Sequence, residues 1–333
     1  MNKGLSVILN ECNRNSWPKT ASAVNHSFPG PHQASVYCYF PLLPCRLVNN
    51  AGKIILCIIE QPGAQGNLQT SQHRSQRILK MNETEAERFS RHTNLAEIGT
   101  DGQEKILNST ALIVGLGGLG SPAAIYLAAS GVGKLIFADF DVVEFSNLQR
   151  QIVHNTQSVG TLKSQSARQT CLAINPDIDI QTIDEVLDAE SLEEIVPQCD
   201  VVLEGSDNFP TRFAVNEACV KHGVPLVSGA AIRFDGQVSV FCGHKDDVPC
   251  YRCLYGDSDM ESADTCAQTG VLSPVVGMVG TVQATEALKI LGGFGKTLEG
   301  RLLLLDGLSM EWREIQLGKN PKCPVCGSRN VAA

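Results

Sequence analysis

From about residue 83 onward, short apolar runs alternate along the chain with segments of helical period. Glu83 to Thr93 and Gly102 to Leu107 read as short helices. Thr110 to Val114 is a mostly apolar run of strand length, and a glycine-rich turn leads from it into a helix over Ser121 to Ser130. Lys134 to Phe140 is a second buried strand, and Lys163 to Ile174 is helical, stopped at Asn175-Pro176. Further strands fall at Ile178 to Ile183, Asp200 to Glu204 and Pro225 to Ser228, with helices around Ala189 to Ile195 and Thr211 to His222 between them. Strands and helices alternating at this spacing predict an α/β fold, a mostly parallel sheet with helices on both faces. Val238 to Cys242 and the strand-rich segment Arg301 to Gln316, separated by a helix over Pro274 to Leu291, are expected to extend the same sheet.

Residues 1–80 show no sustained period and carry Pro18, Pro29, Pro31, Pro41, Pro44 and Pro62. They hold eight basic residues against two acidic ones, whereas the rest of the chain holds 33 acidic and 19 basic. The first 80 residues are read as a disordered leader or an upstream extension translated in error, with a transit segment as the alternative. Residues 81–333 are read as the folded body. A body this acidic is a poor partner for nucleic acid, which demands clustered Lys and Arg. The apolar run Ile54 to Ile59 is far below the ~20 residues of a bilayer span, so no membrane association is expected.

The turn after the first apolar strand reads Gly115-Leu116-Gly117-Gly118-Leu119-Gly120, and Asp139 follows nineteen residues later near the end of the next strand. Glycines at Gly115, Gly117, Gly118 and Gly120 allow a tight turn and a close backbone approach to phosphate, and the helix N-terminus supplies N–H donors. Asp139 is placed to accept from ribose hydroxyls. Taken alone, this Rossmann-type pattern fits an NAD-dependent oxidoreductase. The next segment changes the picture. Asp141, Asn147, Arg150 and Gln151 lie just past the second strand's carboxyl end, Lys163 opens the following helix, and Asp207 follows a later strand in Gly205-Ser206-Asp207-Asn208. Arg150 and Lys163 suit a triphosphate better than a neutral nicotinamide, and Asp207 suits Mg²⁺ bound alongside phosphate oxygens.

Thirteen cysteines, an odd count, argue against a complete disulfide framework and for a reducing, cytoplasmic setting. Cys250-Tyr-Arg-Cys253 and Cys323-Pro-Val-Cys326 form two Cys-x-x-Cys knuckles 69 residues apart. Four thiolates would close a tetrahedral, structural Zn²⁺ site. A redox pair fits less well, since neither pair is expected to open a helix. Cys171, Cys199, Cys219 and Cys242 read as small core residues.

Gly-x-Gly-Gly-x-Gly, then Asp-x-Asp, Ser146-Asn-Leu-Gln-Arg-Gln151, Lys163 and Asp207-Asn208 together resemble the MoeB/ThiF/HesA family, bacterial relatives of the ubiquitin-activating enzymes. The resemblance covers roughly residues 85 to 328. It implies an adenylyltransferase that uses ATP and Mg²⁺ on the C-terminal Gly of a small ubiquitin-like sulfur carrier ending in Gly-Gly. Gly118 would lie under the phosphates and Asp139 would hold the ribose. Asn147, Arg150 and Lys163 would contact the phosphates and the reacting centre, and Asp207 would hold Mg²⁺. Arg91, in Arg88-Phe-Ser-Arg91, matches a family arginine that reaches into the partner subunit's site, which implies a homodimer. Cys266 matches a loop cysteine that in some members acts as a nucleophile or carries sulfur. A separate persulfide donor would supply that sulfur. Ser228 to Gln237 leans toward the molybdopterin branch, while Leu305-Asp-Gly307 and the second knuckle lean toward the thiamine branch; the molybdopterin-synthase small subunit is the favoured carrier. A non-catalytic docking module would be expected to have lost Arg150, Lys163 or Asp207, and all three are present.

Overall fold

The apolar runs Ala111–Val114 and Leu135–Ala138 are buried along their whole length, so both faces of each strand must be covered. The computed structural model describes residues 80–256 and 269–327, together with the backbone of three strands nearer the N-terminus. The chain divides into two compact units, Met1–Ser75 and Gln76–Ala333. In the first, β1 (Ser35–Tyr37), β2 (Arg46–Val48) and β3 (Ile54–Leu56) pair antiparallel in that order. The rest of the expected leader lies outside the described residues.

In the second unit an eight-stranded sheet has the order β11-β10-β9-β8-β7-β4-β5-β6. Its strands are β4 (Thr110–Val114), β5 (Lys134–Ala138), β6 (Asp179–Ile183), β7 (Val201–Glu204), β8 (Leu226–Ile232), β9 (Asp235–Phe241), β10 (Arg301–Asp306) and β11 (Glu311–Gln316). From β6 to β8 the neighbours are parallel, and β9 to β11 continue antiparallel. The C-terminal strands therefore extend the sheet as expected, with Arg301–Gln316 resolved into a hairpin. The chain runs outward from β4 through β5 to β6 and returns to β7 on the other side of β4. A crevice opens at such a reversal, at the carboxyl ends of the strands.

Side chains alternate across β4. Ala111 and Ile113 join a core with α4 (Gly120–Ala129), α5 (Lys163–Ile174) and α9 (Ser273–Gly292) on one face. Leu112 and Val114 join a second core with α6 (Ala189–Ile195) and α7 (Phe209–His222) on the other. Ahead of the sheet the expected helix over Glu83 to Thr93 is two, α1 (Glu83–Arg88) and α2 (Ser90–Thr93), followed by α3 (Gly99–Leu107). The break falls at Phe89, a buried ring seated so closely on Gly131 that a Cβ there would lie 2.3 Å from it. Burying that ring takes precedence over continuing the helix. A one-turn helix α8 (Tyr251–Leu254) precedes the undescribed stretch 257–268. Among the described residues no helix is long and apolar enough to cross a membrane.

Candidate nucleotide site and four-cysteine centre

The crevice between β4 and β7 is a cavity of about 790 Å³. The glycine loop forms its floor. Gly115 has φ +85°, a conformation that costs glycine little, and its carbonyl lies where a Cβ on Gly120 would fall, 1.9 Å away. Gly120 thus lies behind the loop and closes it, while Gly115, Gly117 and Gly118 line the cavity. Asp139, at the end of β5, accepts from the backbone N–H of Leu116 at 2.6 Å and of Asp141 at 3.0 Å. Burial pushes its pKa above the ordinary aspartate value, although Lys163 and the two N–H donors pull it back down.

The excursion between β5 and α5 folds back on itself. Val142 bridges Leu162, and the Lys163 N–H donates to the Asp141 carbonyl. This return places the Lys163 ammonium 2.7 Å from the Asp141 carboxylate, both on the cavity wall and with Lys163 only 7% exposed. Arg150 lines the same wall, one Nη donating to the Ser146 carbonyl. Asp207 and Asn208 are exposed on the opposite rim, in the loop from β7 to α7.

That loop is anchored from beneath. Glu204, the last residue of β7, is fully buried and accepts from the Ser206 N–H and hydroxyl and from the Ser228 hydroxyl. Arg212 lies 3.5 Å from Glu204 and donates to the Ser206 carbonyl at 2.6 Å. Burial pushes the Glu204 carboxyl up while Arg212 and Ser206 oppose it. None of this support was legible beforehand. The only signal was an acid ending an apolar strand, and an arginine eight residues on reads as a surface charge.

Of the expected site residues, Gly115, Gly117, Gly118, Asp139, Asp141, Arg150, Lys163 and Asp207 therefore share one cavity. Asn147 does not line it. It is buried, and its amide oxygen accepts from the Glu144 N–H at 3.2 Å, shaping the turn that presents Arg150. Arg91 is exposed on α2, and Cys266 lies outside the described residues. Phe209, Arg212, Tyr255, Gln237, Asp235 and Arg313 line the same cavity, from α7, β9, the segment after α8 and the β10–β11 hairpin, and none of them was an expected site residue. These residues come from four separated segments and share no motif.

The two knuckles converge. The Sγ atoms of Cys250, Cys253, Cys323 and Cys326 all lie within 4.8 Å of one another, with Cys250–Cys323 at 3.6 Å and Cys253–Cys326 at 3.3 Å. Sulfurs around a Zn²⁺ at about 2.3 Å stand a little under 4 Å apart, so four thiols at these separations fit the ion. The expectation that neither pair opens a helix is corrected at the first knuckle. Cys250 is the N-cap of α8, because Tyr251 packs into the core and its N–H donates to the buried Asn216. Cys171, Cys199, Cys219 and Cys242 are buried core residues, as expected, and burial pushes the thiols of Cys171, Cys199 and Cys242 up to about 12.

The ThiF family model matches residues 89–325. The molybdopterin-synthase adenylyltransferase of Escherichia coli is 44% identical over 253 residues, which span 75% of this chain and all of the relative. The sulfur carrier protein ThiS adenylyltransferase of the same organism is 45% identical over 251 residues, 75% of this chain and 99% of the relative. Among solved structures, E. coli MccB with ATP aligns with a TM-score of 0.65 at 24% identity, covering 74% of this chain and 75% of that one, a likeness of fold.

Proposed function

The chain belongs to the ThiF family, and on that footing we propose that it adenylates the C-terminal glycine of a small ubiquitin-like sulfur carrier, with the molybdopterin-synthase subunit favoured over the thiamine carrier. One observation carries the reading. One cavity of about 790 Å³ is lined by Gly115, Gly117 and Gly118, by Asp139, Arg150 and Lys163, and by residues of β9 and the β10–β11 hairpin; the first two groups would take the phosphates and ribose, and the last the carrier's tail.

In this reading ATP lies with its ribose on Asp139 and its phosphates over Gly117 and Gly118. Arg150 and Lys163 face the triphosphate. The carrier's tail enters past Tyr255 and Gln237. Its terminal carboxylate is already ionised, so no general base is needed. A carboxylate oxygen bonds to the α-phosphorus, the bond from that phosphorus to the bridging oxygen breaks, and pyrophosphate leaves with the electron pair. Negative charge shifts onto the leaving phosphates, where Arg150 and Lys163 stabilise it. Asp207, an exposed carboxylate on the rim, would hold Mg²⁺, which when bound neutralises phosphate charge. The terminal sulfur of a persulfide donor would then displace AMP to give an acyl disulfide, and a second thiol of the donor would attack the donor's inner sulfur, releasing the thiocarboxylate and leaving the donor as a disulfide. The four thiols would hold Zn²⁺ as a structural brace. Arg91 completing the site of a second copy in a homodimer, a reactive Cys266, and action in the cytoplasm complete the proposal. The whole activity is assigned to residues 81–333.

The test is ATP–pyrophosphate exchange by the full chain, with Gly-Gly-ending carriers supplied one at a time, repeated on a chain begun at Met81. Exchange with the molybdopterin-synthase small subunit supports the favoured branch, and exchange only with the thiamine carrier moves the assignment. No exchange with any carrier, from a folded, zinc-loaded protein, would sink adenylation.

A further inference from the structure

We infer that His154 is a positioning residue for the phosphates: it holds the carbonyl of Leu116 and thereby turns the N–H of Gly117 into the nucleotide cavity. His154 lies outside the cavity wall and is 6% exposed. Its Nε2 lies 3.0 Å from the Leu116 carbonyl oxygen and its Nδ1 lies 2.9 Å from the Ser166 hydroxyl. A carbonyl can only accept, so Nε2 carries the hydrogen; Nδ1 of the neutral ring then accepts from Ser166. The ring is thus fixed in tautomer and orientation by its two partners. Burial, reinforced by the charge of Lys163, lowers its pKa to about 4, which keeps it neutral at ordinary pH.

The consequence follows from the planarity of the peptide bond. In a trans peptide the carbonyl of one residue and the N–H of the next point in opposite directions. Holding the Leu116 carbonyl toward His154 therefore aims the Gly117 N–H away from it, and Gly117 lines the cavity. Among the described residues none accepts from that N–H. The other end of Leu116 is held as well, by Asp139 at 2.6 Å. One loop residue is thus gripped at its N–H and at its carbonyl by side chains from two later segments. Ser166 stands on α5 one turn after Lys163, so the same imidazole ties the glycine loop to the helix that carries the cavity's lysine. His154 sets both the direction of a phosphate-binding donor and its spacing from a phosphate-binding cation.

This inference rests on the reading of the cavity as an ATP site, and its test separates the two. Binding of Mg-ATP and of adenosine to the full chain is measured by calorimetry for the wild type and for His154→Phe, His154→Gln and Ser166→Ala. Zinc content and Tm report folding. Adenosine shares the base and ribose but offers nothing to the Gly117 N–H. The expected result for His154→Phe is ATP binding weakened about tenfold and adenosine binding changed by less than about twofold, the size of a hydrogen bond to a charged group lost on one ligand alone. His154→Gln, whose side-chain amide can still donate to Leu116, should recover most of the loss. Ser166→Ala should fall between. Equal weakening of both ligands, or unchanged ATP binding in folded His154→Phe, overturns the inference. Should His154→Phe fail to fold, an unchanged ATP-to-adenosine ratio in Ser166→Ala overturns it in the same way. A wild-type chain that binds neither ligand would overturn the ATP reading itself before any variant is compared.

Discussion

Asp139 shows how one side chain can serve the site at a cost to the fold. Its carboxylate is drawn into a mostly buried position by two backbone donors, and burial raises its pKa. A carboxyl whose folded pKa is raised favours folding below its unfolded value and loses that advantage as pH rises through the folded value. Asp139→Asn should therefore leave Tm unchanged or higher at pH 7. It should still raise KM for ATP about tenfold, since a charge-assisted acceptor for the ribose is lost. Paired melting curves and exchange kinetics test both halves, and a drop in Tm with unchanged KM would contradict them. His154 has the opposite acid–base behaviour. Its folded pKa of about 4 lies below the ordinary 6.5, so the unfolded chain binds a proton first. The stability contributed by its neutral form is complete above about pH 6.5 and is lost as pH falls toward 4. The Tm gap between the wild type and His154→Gln should accordingly narrow over that range. A gap independent of pH would show that the imidazole binds protons equally in the folded and unfolded chain, contrary to a pKa lowered by burial.

At the level of elements, helix α9 presses on the glycine loop. A Cβ added at Gly280 would lie 2.3 Å from the Leu119 carbonyl and 2.6 Å from the Pro122 ring, and Val276 sits against Gly118. Gly280→Ala must push α9 away from the loop. Overpacking of this kind costs about 1–3 kcal/mol, to be read from urea unfolding, and because Leu119 belongs to the loop, ATP affinity should fall with it. The strands, the helices and the parallel order of the sheet's core were legible because burial on both faces writes continuous apolar runs such as Leu112–Val114 and Leu135–Ala138. That the glycine loop, Asp139 and Lys163 meet at one cavity was legible because all three follow or flank the carboxyl ends of adjacent strands, at spacings the sequence states directly. Asn147 was misleading from sequence alone: an amide in that segment reads equally as a ligand or as a turn former, and it shapes the Glu144 turn. Gly280, His154 and Glu204 were silent because their importance lies in what they touch: Leu119, 161 residues earlier, for Gly280, a bare backbone carbonyl for His154, and Ser228 on the next strand for Glu204, none of which a local period records.

Across the whole molecule, the four-cysteine centre does more than hold the end of the chain. Cys323 and Cys326 bring the last described segment against Val220 of α7 and the cysteines at α8. Between the first pair lies Tyr251, whose hydroxyl is 3.4 Å from Arg212, and Arg212 in turn holds the Ser206 carbonyl beside Asp207. Tyr251 is also packed among Phe213, Phe241 and Tyr255, the last of which lines the cavity. Opening of the four-thiol cluster should therefore reach the site along a chain of packed and hydrogen-bonded groups. Cys323→Ser is expected to abolish zinc binding, leave three thiols unable to close a tetrahedron, and cost on the order of 3 kcal/mol or more in stability. It should expose the segment after Gln316 to protease. Assayed well below its Tm, the variant should also need more Mg²⁺ to reach half-maximal exchange, because the loop bearing Asp207 has lost its brace. A variant with lowered Tm but the wild-type Mg²⁺ requirement would confine the four thiols to holding the tail, and Glu204 and Arg212 would then suffice to order the Asp207 loop.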